Sequence, residues 1–158
     1  MWEFEAVGLP VLRANLTAMA GELDNPDAYL ELLGPEVGAD IRRNFEQGGR
    51  PKTWPDITAA SRAQRKQNPT SGPLIDTETL MLSASDSGGG AEGSLFAVQG
   101  NVLTLGTDLP QAATQEYGRG GIPARPYESI TTEDALQLGD ALQADYLHQM
   151  LGGTSVLR

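Results

Sequence analysis

Clusters of glycine and proline divide this chain into short segments, and this punctuation limits its fold more than any other feature. Glycine and proline together make up 29 of the 158 residues. Breaker-rich stretches at residues 48–51, 68–73, 88–90 and 118–121 separate the candidate helices and strands. We therefore expect a single domain (1–158) of short elements joined by irregular connections.

The first third of the chain has mainly helical hydrophobic spacing. Residues 2–6 alternate apolar and acidic side chains, as in a half-buried strand, and residues 9–23 carry an apolar stripe typical of a helix. A second helix is predicted from the Asn25-Pro26 cap pair to about residue 47, kinked or divided at Gly34-Pro35. Its predicted core stripe is Leu30, Leu33, Val37, Ile41 and Phe45.

The middle of the chain predicts short helices around one hairpin. Helices are expected near residues 57–67 and 77–83, the second with Leu80 and Leu82 facing inward. Two apolar runs spanning residues 95–105 flank Gly100-Asn101, which supplies the positive φ angles of a tight β-turn.

The last third predicts a short helix at residues 110–117, an extended segment at 122–127 and a C-terminal helix at 130–151. Thr131 is the expected N-cap of that helix, with Asp134 at its third position. The predicted core stripe of the helix is Ala135, Leu138, Leu142, Tyr146 and Met150. The order of elements predicts an α+β fold, in which helices pack on a small mixed β-sheet of strand 2–6, the hairpin and segment 122–127.

The charge is unevenly distributed along the chain. The net charge is -10, yet residues 40–66 carry +4. Those bases are Arg42, Arg43, Arg50, Lys52, Arg62, Arg65 and Lys66. The segment is either a solvated surface or, in the more specific interpretation, a long mobile loop (48–73) that docks on an acidic neighbouring subunit and buries Trp54 there.

Several classes of chemistry are disfavoured by composition. The chain has no cysteine and one histidine, His148, which excludes disulfides and thiolate metal sites and leaves no histidine metal cage. Asp76-Thr77 resembles half of an aspartic-protease signature, but Glu78 follows where that chemistry needs glycine, so a helix N-cap is the ordinary interpretation. The glycine runs lack the residues of a P-loop. We expect a protein that is not an enzyme and has no metal or cofactor.

No run of residues approaches the ~18 apolar positions of a membrane span, and the N-terminus has no basic stretch before an apolar run. The expectation is a soluble, non-secreted protein that does not bind membranes.

An ordered set of short motifs runs through most of the chain from residue 41 onward. The set comprises Phe45, Gly48-Gly49, Trp54-Pro55, Leu74-Ile75-Asp76-Thr77 with Leu80 and Ser83, Leu105-Gly106-Thr107, Ala112-Ala113, Gln115-Glu116-Tyr117-Gly118 and Ile122-Pro123-Ala124-Arg125-Pro126-Tyr127. With these motifs the chain resembles the virion morphogenesis (tail completion) family of Mu-like tailed phages. Glu78 departs from the family's glycine, Tyr127 from its phenylalanine, and residues 85–94 form an insert.

The resemblance implies a structural protein of the virion head–tail junction, assembled in the host cytoplasm into a homo-oligomeric ring, with six copies expected. Its implied partners are other copies of itself, the tail tube protein and head-side connector proteins, with DNA only passing through the lumen. A head-side neck adaptor or assembly factor is the alternative. A small hydrolase using Asp76 and His148 is a more remote one.

Two groups of site residues follow. The assembly or interface candidates are Arg50, Lys52, Trp54, Arg62, Arg65, Lys66, Arg125 and Tyr127. The structural residues of the family motif are Asp76, Thr77, Gly106, Thr107, Tyr117, Gly118, Pro123 and Pro126. Arg125 lies between two stiffening prolines and is expected to bind a carboxylate of its own or a neighbouring subunit.

Overall fold

A computed structural model describes residues 26–150, except for six side chains near the two ends of this range. These six are Pro26, Ala28, Tyr146, Leu147, Gln149 and Met150. The predicted strand at 2–6 and helix at 9–23 lie outside the described residues, as do the side chains of Tyr146 and Met150 in the C-terminal stripe.

Five helices and one β-hairpin make up the described part of the chain, and the predicted α+β class is confirmed. The helices are α1 (Pro26–Gln47), α2 (Ala59–Ala63), α3 (Thr79–Ser85), α4 (Ala112–Tyr117) and α5 (Thr132–Met150). The strands are β1 (Ser94–Gln99) and β2 (Val102–Thr107).

The long helix α1 forms the centre of the packing. It continues through Pro35 as one helix, and its predicted stripe faces inward, with Leu33, Ile41 and Phe45 almost fully buried. Gly38 lets α3 approach closely, because a Cβ atom there would lie 2.4 Å from the carbonyl oxygen of Ser85. Helix α1 therefore contacts both α3 and the hairpin.

The hairpin forms as its turn residues predict. Strands β1 and β2 pair antiparallel, and Gly100 and Asn101 adopt φ angles of 59° and 64° between them. Phe96 and Leu105 lie opposite each other on the half-buried face, whereas Leu95 is exposed on the other face.

The prediction that segment 122–127 is a strand of a mixed sheet is wrong. The sheet of the described residues has two antiparallel strands, and the segment forms no strand beyond an isolated bridge between Arg119 and Ile122. Pro123 and Pro126 have no N–H to give to a ladder, and the N–H of Arg125 donates to the carbonyl of Gln115 in α4 at 2.7 Å.

Helix α5 begins with the predicted capping box. The Thr131 hydroxyl accepts the backbone N–H of Asp134 at 3.1 Å, and Asp134 Oδ2 accepts the N–H of Thr131 at 3.2 Å. Ala135, Leu138 and Leu142 are buried, which confirms the described part of the predicted stripe.

The start and the inner face of α3 differ from the prediction. Leu80 is buried as expected, but Leu82 is 42% exposed, because helical spacing places the buried Ala84 beside Leu80 and turns Leu82 away from that face. The predicted cap at Asp76 or Thr77 is also wrong. The cap residue is Glu78, which has a left-handed backbone (φ 61°) and makes no side-chain cap hydrogen bond.

The buried residues fall into two clusters joined through Val37 of α1. The first joins the N-terminal half of α1 to α5 and contains Leu30, Leu33, Leu138 and Leu142 among its members. The second surrounds the C-terminal half of α1 and contains Ile41, Phe45, Trp54, Leu80, Met81 and Tyr127 among its members. The candidate site lies at the second cluster.

Within residues 26–150, no helix combines the length and the apolar character needed to cross a membrane.

The left-handed backbone of Glu78 predicts that glycine is better at this position. A non-glycine residue in this conformation costs about 1–2 kcal/mol, and the greater flexibility of an unfolded glycine offsets about half of that gain. Glu78→Gly should raise the free energy of unfolding by about 0.5–1 kcal/mol in urea denaturation.

The control is Glu31→Gly, at an exposed site inside α1 where the backbone is helical. This change should lower the free energy of unfolding by about 1 kcal/mol. If both substitutions destabilise the protein equally, the conformation assigned to Glu78 is wrong.

Candidate functional site

Three aromatic rings from separate parts of the chain pack together at the C-terminal end of α1. The Phe45 ring contacts Trp54 edge-on at a centroid distance of 5.7 Å and Tyr127 at 5.1 Å. The indole Nε1 of Trp54 donates to the Pro126 carbonyl at 3.1 Å. Trp54 is 5% exposed and Tyr127 is 1% exposed.

Trp54 and Tyr127 are thus core residues of their own subunit. Both rings are already covered by Phe45 and by each other's segments, so neither is exposed on the subunit surface. Their role as contacts to a neighbour stays a prediction. A large aromatic side chain in a loop can be buried within its own chain when the loop passes close to the end of a helix. Trp54 lies in this way beside the C-terminal end of α1.

Asn44 is a site residue that the sequence analysis missed. It is fully buried, and its Nδ2 donates to the carbonyls of Tyr127 at 2.8 Å and Ser129 at 2.7 Å. Its Oδ1 accepts a hydrogen bond from Arg50 Nε at 2.9 Å. The sequence feature that could have identified Asn44 is its position as a polar residue directly before Phe45, at the end of the apolar stripe of α1.

Arg125 is 4% exposed and binds backbone oxygens rather than the predicted carboxylate. Its Nε donates to the Pro55 carbonyl at 2.9 Å, Nη2 to the Asp56 carbonyl at 3.3 Å and Nη1 to Gln115 Oε1 at 3.2 Å. Burial lowers the pKa of this guanidinium. Within the subunit these oxygens take the place of the predicted carboxylate, because residues 55–56 form no helix or strand and their carbonyls need donors from elsewhere. A carboxylate of a neighbouring subunit stays a prediction.

Arg50 connects the turn after α1 to the start of α5. It donates to the Asp134 carboxylate at 2.9 Å and to the Asp40 carbonyl at 3.0 Å. Burial alone would raise the pKa of Asp134, but hydrogen bonds from Arg50 and Thr131 outweigh burial and hold that pKa below its ordinary value. Arg43 contacts both Asp134 and Asp40 as well.

Arg62 and Arg65 close the loop around α2. Arg62 pairs with Asp56 at 2.6 Å and also donates to the Pro69 and Ser71 carbonyls. Arg65 donates to a series of backbone carbonyls, at distances of 2.6–3.2 Å. The acceptors are those of Asn68, Ser71, Gly72, Pro73 and Ile75.

The long mobile loop expected at 48–73 is therefore not confirmed. Three of its predicted interface bases, Arg50, Arg62 and Arg65, are bonded within the subunit, and Trp54 is buried there. Lys52 and Lys66 are exposed, so they remain candidates for contact with a partner.

The Asp76 carboxylate fastens the same loop. It accepts the backbone N–H groups of Lys66, Gln67 and Asn68 at 3.3, 3.1 and 3.2 Å. The hydrogen bonds from Gln67 and Asn68 lower the pKa of Asp76 most strongly. The neighbouring Thr77 is exposed, and its hydroxyl lies 3.0 Å from that of Thr79.

A groove of about 270 Å³ lies beside this loop, between α2, α3 and α4. Its lining includes Ile57, Arg65, Asp76, Leu80 and Gln115. Arg65 and Asp76 are the charged residues of the lining, and both are bonded to backbone groups. Within residues 26–150 no group of three or more carboxylates and histidines is placed to hold a metal ion.

The remaining motif residues shape the turns around the aromatic cluster. The Thr107 hydroxyl lies 2.6 Å from that of Ser83, which joins β2 to α3, while Gly106 is buried beside it. Gly118 has φ 74°, and a Cβ atom there would lie 2.7 Å from the backbone nitrogen of Ala124. Glycine at 118 therefore lets the chain turn back on itself after α4.

This turn presents an exposed apolar surface, which we call the 117–126 loop. Tyr117 is 56% exposed and Ile122 is 42% exposed, and Pro123, Ala124 and Pro126 are exposed as well. Arg125 holds the loop from beneath. His148, the other residue of the hydrolase alternative, is exposed near the end of α5.

Two glutamates flank the loop. Glu116 Oε2 accepts the N–H of Tyr127 at 2.7 Å and that of Glu128 at 3.4 Å. Burial raises the pKa of Glu116 despite these two donors. Burial and the nearby Glu116 raise the pKa of Glu128 to about 7.

Comparisons with known proteins find no relative of this chain, since no family model, no curated protein and no solved structure matches it.

The hydrogen bonds of the buried Arg125 side chain predict a large effect of its removal. Arg125→Ala leaves the carbonyls of Pro55 and Asp56 without their charged donor, and a hydrogen bond to a charged group contributes about 1.5–3 kcal/mol. The free energy of unfolding should fall by about 2–4 kcal/mol, measured by urea denaturation.

Arg119→Ala is the matched control, because Arg119 is exposed in the same loop. It should change the free energy of unfolding by less than about 0.5 kcal/mol. Arg125→Lys keeps the charge but loses the planar set of donors, so it should also destabilise the protein. Equal small effects of Arg125→Ala and Arg119→Ala would contradict the assigned hydrogen bonds.

Proposed function

We propose that this chain is a structural virion protein of the phage head–tail junction, which forms a homo-oligomeric ring that completes or terminates the tail. Its partners in this proposal are neighbouring copies in the ring, the tail tube protein and the head-side connector, with DNA passing through the lumen.

The observation that carries the proposal is the convergence of the motif residues on one site. Residues that bear the resemblance lie in separate segments of the chain, yet they contact one another around the end of α1. They are Phe45, Trp54, Pro55, Gln115, Arg125, Pro126 and Tyr127. Motif residues that contact one another in this way hold a surface in position. A surface held in position suits an assembly protein.

The surface held in this way is the 117–126 loop. Its exposed Tyr117 and Ile122 are large apolar side chains of the type enriched at the centre of protein interfaces. Because Arg125 and Gly118 already order the loop, little entropy is lost when a partner binds it. We assign this loop as a contact to the next subunit or to the tail tube.

The charge of the protein also supports the proposal. The net charge is -10, and Arg50, Arg62, Arg65 and Arg125 are occupied by bonds inside the subunit. An acidic surface around a lumen would repel passing DNA and so prevent it from sticking.

The interface prediction is tested with the double variant Tyr117→Ser and Ile122→Ser. Losing both apolar contacts should reduce incorporation into isolated tails by about tenfold or more, measured by quantitative immunoblotting. Light scattering of the wild type with tails should detect a ring, about 100 kDa for six 16.8-kDa chains.

The control is Leu95→Ser with Val102→Ser, which removes two equally exposed apolar side chains from the outer face of the hairpin. It should leave incorporation unchanged, and thermal melts establish that both variants are folded. Recovery with DNA-filled heads instead of tails would favour the neck adaptor. A protein that stays monomeric alone and with both particles would contradict the ring.

A further inference from the structure

Glu116 and Glu128 form a pair of half-buried carboxyl groups at the base of the 117–126 loop. Glu116 lies in the last turn of α4, and Glu128 directly follows the buried Tyr127. Glu128 also faces β2, because a Cβ atom on Gly106 would lie 3.3 Å from Glu128 Oε1. The pair therefore sits where α4, β2 and the end of the loop meet.

No positive charge among the described residues compensates this pair. The ion pairs within residues 26–150 involve Arg43, Arg50 and Arg62, and neither glutamate takes part in one. Arg125 is close in sequence, but its guanidinium is bonded to residues 55–56 and to Gln115. The titratable groups that face Glu128 are Glu116 and Tyr117 of α4 and the neighbouring Tyr127.

The two carboxyl groups have different hydrogen-bond environments. Glu116 accepts two backbone N–H groups, which favours its ionised form, whereas no described donor reaches the carboxyl of Glu128. Two neighbouring carboxylates that are both shielded from water repel each other strongly when both are ionised. Ionisation is therefore less favourable for Glu128 than for Glu116.

We propose that the Glu116–Glu128 pair is a pH-sensitive latch, which holds residues 125–128 against α4 while Glu128 carries a proton and loosens them when Glu128 ionises. This latch goes beyond the proposed virion role and does not depend on it. It would make the order of the 117–126 loop depend on pH near neutrality.

The sign follows from the raised pKa of Glu128, which is about 7 in the folded protein. A carboxyl group with a raised pKa contributes its full stability below the ordinary value of about 4.5 and loses it as the pH rises through 7. The latch is therefore most stable below about pH 4.5, opens progressively more often as the pH rises to 7, and changes little above that pH.

Hydrogen exchange of the Tyr127 amide, followed by NMR on the full-length protein, reports directly on the latch. This amide donates to Glu116 Oε2 at 2.7 Å, so it exchanges only when the contact opens. After correction for the intrinsic pH dependence of exchange, the opening constant should rise about tenfold per pH unit between pH 5 and 7 and then level off. The amides of Leu138 and Leu142 in α5 should not follow this rise.

Glu128→Gln supplies the decisive comparison. A permanently neutral side chain of the same shape should remove the pH dependence of the Tyr127 amide and keep it protected at pH 8. Glu46→Gln, at an exposed site of α1, is the control and should behave as the wild type.

Carbon-detected titration of Glu128 in the wild-type protein requires no variant and should give a midpoint near 7. An opening constant that does not change between pH 5 and 8 would overturn the latch. The same pH dependence in wild type and Glu128→Gln would overturn it as well.

Discussion

Hydrogen bonds from arginine side chains to backbone carbonyls hold this structure together. Residues 48–58 and 64–78 contain almost no helix or strand. Their carbonyl groups therefore lack the backbone N–H donors that regular secondary structure supplies. A guanidinium carries five N–H donors in a fixed plane and can satisfy several carbonyls at once. Arg65 does so for the loop after α2, and Arg125 does so for residues 55–56. Arginine thus replaces regular secondary structure in these segments.

This arrangement links the core to the exposed surface. Arg125 fixes residues 55–56, and Trp54 and Tyr127 both pack on the Phe45 ring. Asn44 closes the cluster by bonding the carbonyl of Tyr127. The 117–126 loop leaves from this cluster, so its order depends on bonds made well inside the subunit. An exposed apolar loop supported in this way is suited to bind a partner with little rearrangement.

Local sequence patterns correctly predicted those elements that are determined by residues close to one another in the sequence. The stripe of α1, the Gly100-Asn101 turn and the Thr131–Asp134 capping box each depend on residues close in sequence, and the structure confirms all three. The hydrogen bonds from Trp54 to Pro126 and from Arg125 to residues 55–56 could not be predicted, because donor and acceptor lie about 70 residues apart along the chain. The sequence alone does not distinguish basic side chains that are solvated from basic side chains that donate to backbone carbonyls. Hydrophobic periodicity alone did not predict the role of the single polar residue Asn44.

If arginine side chains are rigid structural members of this subunit, NMR relaxation of their Nε–H groups shows it most directly. The Nε atoms of Arg50 and Arg125 both donate hydrogen bonds, whereas the side chain of Arg119 is exposed. We predict order parameters of about 0.85 for Arg50 and Arg125, as in rigid backbone, and values below about 0.6 for Arg119. Low order parameters for all three arginines in the folded protein would contradict it.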